Sequence, residues 1–208
     1  MATPNDTILY KPANTTHDVL DVIKDRWSPR AFDTRPIERE KLLRLLEAAR
    51  WTASSMNTQP WRFIMATRTD RAAFDKMLGI LKEGNRVWAQ NAPLLMLAIA
   101  KRQHENGRDN RHAQHDVGQA LAQLTLQATA DDLMVHQMGG FFPDQARDVY
   151  QIPEDYDPLT AVAIGYQGGL DTLSDDLQAR EQRERQRKPL AEIVFTDTFG
   201  KSAPDVTT

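Results

Sequence analysis

Apolar positions along the chain follow two rhythms. Leu42, Leu45, Leu46 and Ala49 recur at i, i+3, i+4 and i+7, which predicts a helix that opens with Pro36 in its first turn and runs to about Trp51. Val19, Val22 and Ile23 form a shorter stripe behind an N-cap at Thr15 or Thr16 and an acid at Asp18. That helix should stop at "RWSPR", because Pro29 biases Ser28 away from the helical region. Phe74, Met77, Leu78 and Leu81 predict a third helix, and Val117, Ala120, Leu121, Leu124 and Ala128 a long one over about 111–133. Its Ala, Leu and Gln content favours that state. Pro143 opens a short helix to about Tyr150.

The second rhythm is that of strands. "RFIMAT" (62–67) and "TAVAIGY" (160–166) read as strands, and "AEIVF" (191–195) as a final one. "LLMLAIA" (94–100), apolar almost throughout after Pro93, suits a central strand buried on both faces. Several helices precede the first strand, and no glycine-rich turn joins a strand to a helix, so a Rossmann fold is disfavoured and an α+β fold is expected. At 208 residues, with no seam or repeat, the expectation is a single domain with its core over about 17–200, an N-terminal arm (1–16) and a charged helix or lid (171–188).

Charge and composition narrow the partners. A formal net charge of -3 provides no basic field for nucleic acid or an anionic membrane, so neither is expected as a partner. The absence of cysteine removes thiolate chemistry and assigns any redox work to a bound cofactor. The N-terminus lacks the pattern of a signal peptide, and the longest apolar stretch, 92–100, is far short of the ~20 residues of a membrane span. A cytoplasmic protein with a small-molecule ligand is expected.

Four stretches carry candidate chemistry. In "RWSPR", Arg26, Ser28 and Arg30 alternate in an extended segment, so two guanidiniums and a hydroxyl could converge on one anion. A solvated basic turn at a helix end is the competing reading. "SSMNTQPW" (54–61) offers Ser54, Ser55, Asn57 and Gln59, whose donors and acceptors match the edge of a heterocycle. They would equally serve a turn that binds its own backbone, with Trp61 in the core. Met138, Gly139 and Gly140 could bring bare backbone N–H groups to a ligand, or simply lead to Phe141 and Phe142; the double glycine demands positive φ or a close backbone approach. "RERQRKPL" reads as a solvated charge run in which Arg187, just before Lys188 and Pro189, stands nearest the closing strand. His112 and His115 with Asp116 complete no metal pattern, so no metal is expected, and no residue is singled out as a catalytic acid or base.

Taken in order, "RWSPRAFDTRPI", "LLEAARWTASSMNTQPWRFIMAT", "NAPLLMLAIA", "DVGQALAQLTLQATADDL", "HQMGGFF", "AVAIGY" and "RKPLAEIV" resemble the FMN-dependent nitroreductase family over about residues 17–200. The resemblance implies a three-layer fold with a central, mostly antiparallel sheet between helices. It also implies an intertwined homodimer with FMN at the interface and a C-terminal strand joining the partner's sheet. Arg26 and Ser28 would bind the phosphate and ribityl end, Arg187 would close over the phosphate, and Arg30 would lie near the pyrimidine edge. Ser54, Ser55, Asn57 and Gln59 would come from the other subunit, and Met138, Gly139 and Gly140 would face N5. The implied activity is ping-pong transfer of hydride from NADH or NADPH to the flavin, then of electrons to a nitroaromatic, quinone or related acceptor. Family members also oxidise or dehalogenate other small molecules, and a non-catalytic flavin-binding or regulatory dimer is the alternative. Three positions depart from common family patterns: Ala53 before the serines, no acid in "MVHQMGG", and Phe199 in "TDTFG".

Overall fold

A computed structural model describes residues 8–206, so residues 1–7 of the predicted arm lie outside the described part. Its centre is a four-stranded antiparallel sheet, β1 (Trp61–Thr67), β2 (Leu94–Lys101), β3 (Met134–Met138) and β4 (Tyr156–Gly165), in the order β1-β2-β4-β3. Seven α-helices accompany it among the described residues: α1 (Asp21–Asp25), α2 (Arg39–Arg50), α3 (Arg71–Gly79), α4 (Glu83–Ala89), α5 (Ala113–Ala130), α6 (Pro143–Tyr150) and α7 (Asp175–Glu181).

Period-two alternation in β2 and β4 divides the core into two layers. Leu95, Leu97 and Ile99 of β2 and Ala161 and Ala163 of β4 pack with Phe74, Met77, Trp88 and Ala146 of α3, α4 and α6. Leu94, Met96, Ala98, Val162 and Ile164 point the other way, onto Leu45 and Ala49 of α2 and Val117, Leu121 and Leu124 of α5. The run expected to be buried on both faces is therefore the second strand of a three-layer α+β fold. Pro158 is tolerated inside β4 because the pairing slips between Ala98 and Ile99, a bulge that spares one ladder bond.

Several boundaries differ from expectation. α1 begins only at Asp21, since the Ala13 N–H is tied to the Lys24 carbonyl at 2.8 Å and the chain before it stays extended. α2 starts at Arg39 rather than Pro36, because Glu38 is drawn to the Tyr166 hydroxyl and holds the β conformation of an N-cap. Leu81 lies outside α3: it forms a bridge with Phe141, flanked by Lys82 N–H to Gly140 carbonyl at 3.0 Å and Phe142 N–H to Ile80 carbonyl at 2.9 Å. α4 and β3 were not anticipated. "AEIVF" is not a strand of the sheet: residues Leu190–Glu192 form a 3₁₀ turn, and Phe195 pairs with Ser202 across a small hairpin turned by Asp197 (φ 67°) and Gly200 (φ 93°). The charged segment is α7 followed by an extended stretch, and its Glu181 is only 2% exposed.

Candidate functional site

The "RWSPR" turn leaves α1 in the extended conformation, with Arg26 at φ -60° and ψ 120°. Trp27 and Pro29 face inward while Ser28 is exposed, as alternation requires. Arg26 Nη1 lies 3.4 Å from Ser28 Oγ. Burial lowers the pKa of Arg26 first, and the positive charge of Arg187 lowers it further. Arg185 is lowered by burial and then by Arg26 and Arg187, while Asp25 opposes this more weakly. Gathering like charges is unfavourable unless an anion shares the space, so the cluster fits a phosphate group. The structure thus brings Arg26, Ser28 and Arg187 together. It draws Arg30 aside: Arg30 Nη1 meets Glu181 Oε1 at 2.8 Å, and the Arg30 N–H donates to Glu181 Oε2 at 3.0 Å.

β3 backs this turn. The imidazole Nδ1–H of His136 donates to the Pro29 carbonyl at 2.9 Å, and Trp88 lies against the ring at 4.6 Å between centroids. Burial pushes the His136 pKa down to about 4, against the pull of that hydrogen bond, so the ring is neutral at pH 7. Two residues beyond, Met138 is buried and its carbonyl accepts from Thr160 Oγ1 at 3.0 Å. Gly139 is exposed, with open space where a Cβ would stand. A Cβ on Gly140 would lie 2.5 Å from Asn85 Nδ2, which donates to the Gly140 carbonyl at 3.0 Å, so this glycine answers a close approach rather than a positive φ.

The "SSMNTQPW" loop uses part of its polar inventory on itself. Ser54 Oγ accepts from the Gln59 N–H at 3.0 Å, and Asn57 Oδ1 from Gln59 Nε2 at 3.2 Å. Trp61 is core, at 7% exposure. The Ser55 N–H donates at 3.0 Å to Asp116 Oδ2, a buried carboxylate in the first turn of α5 that also meets His115 Nδ1 at 3.0 Å. The backbone is strained: Met56 (φ 54°), Asn57 (φ 55°) and Gln59 (φ 46°) all occupy the left-handed region, at a cost of about 1 kcal/mol each. The loop borders an open groove of about 740 Å³, shared with Arg62, Lys101, His104 and Arg108.

The two groups do not meet within one chain. The loop leads into β1 at one edge of the sheet, whereas "RWSPR" and Gly139 adjoin β3 at the other. Three inter-strand steps, about 14 Å, separate those edges. Asp116, His136, Glu181 and Arg185 were not singled out from the sequence as site residues. Asp116 reads in the sequence only as an incomplete metal ligand beside His115, His136 is overshadowed by the glycines that follow it, and Glu181 and Arg185 are indistinguishable from their neighbours in a charge run. Among the described residues no group of three or more His, Cys, Asp or Glu is placed to hold a metal ion, and no helix is long and apolar enough to cross a membrane.

An antiparallel three-layer α+β fold with a cationic turn against one sheet edge and a strained polar loop at the other places the chain in the α+β class. Within that class the assignment is specific: the nitroreductase family profile matches residues 23–166, and the chain belongs to that family. A solved structure of an oxidoreductase containing FMN is 34% identical, with a TM-score of 0.85 and 97% of this chain and 100% of that one covered. A nitroreductase family protein of Clostridium difficile 630 shares the fold at a TM-score of 0.68 and 24% identity, covering 88% of this chain and 100% of that one. The major NAD(P)H-flavin oxidoreductase of Aliivibrio fischeri is 39% identical over 51 residues, 24% of this chain and 23% of its own.

Proposed function

We propose that the chain forms one FMN-binding domain of a cytoplasmic homodimeric oxidoreductase that draws on NADH or NADPH and serves a nitroaromatic, quinone or related small-molecule acceptor in ping-pong order. The carrying observation is the half-buried Arg26 beside Ser28 and Arg187, a cation cluster with the chemistry of a phosphate site. FMN, when bound, supplies the two-electron redox chemistry that a chain without cysteine lacks. Arg26, Ser28 and Arg187 hold its phosphate and ribityl end. Arg30, held by Glu181, would lie near the pyrimidine edge with its charge balanced by that carboxylate. Met138, Gly139 and Gly140 would line the N5 side of the ring with backbone and no acid. Ser54, Ser55, Asn57 and Gln59 reach the cofactor of the partner subunit, which is supported by their position at the sheet edge opposite the cation cluster.

The test is anaerobic mixing of the purified yellow protein with NADH and with NADPH. Bleaching at catalytic rates, followed by recovery of colour on adding a nitroaromatic or quinone, is the expected result. Protein that takes up no FMN on reconstitution would defeat the proposal. Flavin that binds but is never bleached would instead leave a regulatory flavin-binding dimer, the reading favoured by the lack of an acid in "MVHQMGG".

A further inference from the structure

The stretch after α7 contributes more than the one arginine that the sequence pointed to. Arg185 lies between Glu181, which holds Arg30, and Arg187, which joins the cation cluster. Three hydrogen bonds run from its guanidinium to backbone carbonyls. Nη1 donates to the carbonyls of Lys24 at 2.7 Å and Lys11 at 2.9 Å, and Nη2 to the carbonyl of Arg26 at 2.8 Å. α1 is five residues long and cannot hold its own C-terminal end, where carbonyls lack helical partners. One planar fork therefore ties the arm, the end of α1 and the residue that carries the Arg26 guanidinium into one unit. An ammonium group lacks that rigid fork.

We propose that Arg185 is the positioning residue of the anion site: its fork holds the Arg26 carbonyl in register with those of Lys24 and Lys11, and its charge adds to the field that Arg26 and Arg187 present. The inference rests on the reading that the cluster receives the phosphate of FMN. It goes beyond that reading in assigning the pre-formed shape of the site to a residue outside the ligand contact set. Positive charge is gathered there before any ligand arrives: beyond the effect of burial, Arg187 lowers Arg26, and Arg26 and Arg187 lower Arg185, around the carbonyl of Arg26 that Arg185 holds.

Flavin-free full-length protein would be titrated with FMN and with riboflavin, which lacks the phosphate, for the unmodified chain, Arg26→Ala, Arg185→Met and Arg185→Lys. In Arg185→Met the affinity for FMN should fall about tenfold or more while that for riboflavin changes less than about twofold, the scale of losing part of a charge-assisted contact. Arg185→Lys keeps the charge and not the fork, so it should retain a clear FMN-specific loss, and it serves where the methionine variant does not fold. Equal losses for both flavins would reduce Arg185 to a structural residue and overturn the proposal. Full rescue by lysine, or no loss in either variant, would overturn it as well. The underlying phosphate reading fails separately, if the unmodified chain binds FMN no better than riboflavin or if Arg26→Ala leaves FMN binding unchanged.

Discussion

The two sheet edges prepare for a ligand in opposite ways. At the β3 edge the backbone is relaxed and the side chains are frustrated: Arg26, Arg185 and Arg187 repel one another over a turn pinned by His136, Glu181 and Arg185. At the β1 edge the polar side chains are partly bonded within the loop and the backbone is strained, with left-handed Met56, Asn57 and Gln59 held by Asp116 through Ser55. Charge is stored at one edge and conformation at the other. The first kind of preparation should weaken with salt, the second with substitutions that relax the chain.

The largest test removes an anchor. Glu181→Ala leaves Arg30 partly buried without its carboxylate, and loss of one member of a buried pair costs about 3 kcal/mol or more. Urea denaturation should show that loss in flavin-free protein, and an unchanged midpoint would mean that the β3 edge does not depend on this clamp. Arg26→Ala removes a charge instead of an anchor. It should leave unfolding nearly unaltered and weaken FMN retention by about 2–3 kcal/mol, read by fluorescence titration.

The pH dependence comes from His136. Its folded pKa, about 4, lies below the ordinary histidine value of 6.5, so the unfolded chain binds the proton more tightly. Its contribution to stability is therefore complete above pH 6.5 and is lost as pH falls through that window toward 4, by up to about 3 kcal/mol. His136→Gln should flatten the stability profile in that range, and a slope that persists in the variant would place the titration elsewhere. The smallest effect belongs to the other edge. Met56 is 85% exposed at φ 54°, so Met56→Gly relieves strain at little cost in packing and should stabilise the flavin-free protein by up to about 1 kcal/mol in thermal melts. A destabilised variant would show that this loop is not strained.

The sequence is most legible where one physical demand dominates. The unbroken run Leu94–Ala100 could only be a buried strand or helix segment, and Pro93 with its β-sheet pattern decided it; α5 and α6 likewise follow from periodicity and from Pro143. α4 escaped notice because Gly84 and Asn85 depress helix propensity, while Trp88, fully buried, supplies through tertiary packing what propensity does not. β3 is five residues long and includes His136 and Gln137, too short and polar a run to stand out from the glycines that follow. "AEIVF" has strand composition, yet within one chain Val194 and Phe195 pair with Ala203 and Ser202 and not with the sheet. At the site, alternation correctly grouped Arg26 with Ser28 and not with its inward neighbours. It could not reveal that Arg30 is taken by Glu181, because a contact across 151 positions leaves no local trace.

The separation of the two edges also has a genetic consequence. If each cofactor draws its phosphate site from one subunit and its loop from the other, damage to the two contributions should be complementable. Subunits altered at Arg26 and subunits altered at Asn57 would each assemble into inactive pairs with themselves. A mixed pair, however, would carry one site with both lesions and one with neither. Two defective alleles expressed together would then restore what neither supplies alone.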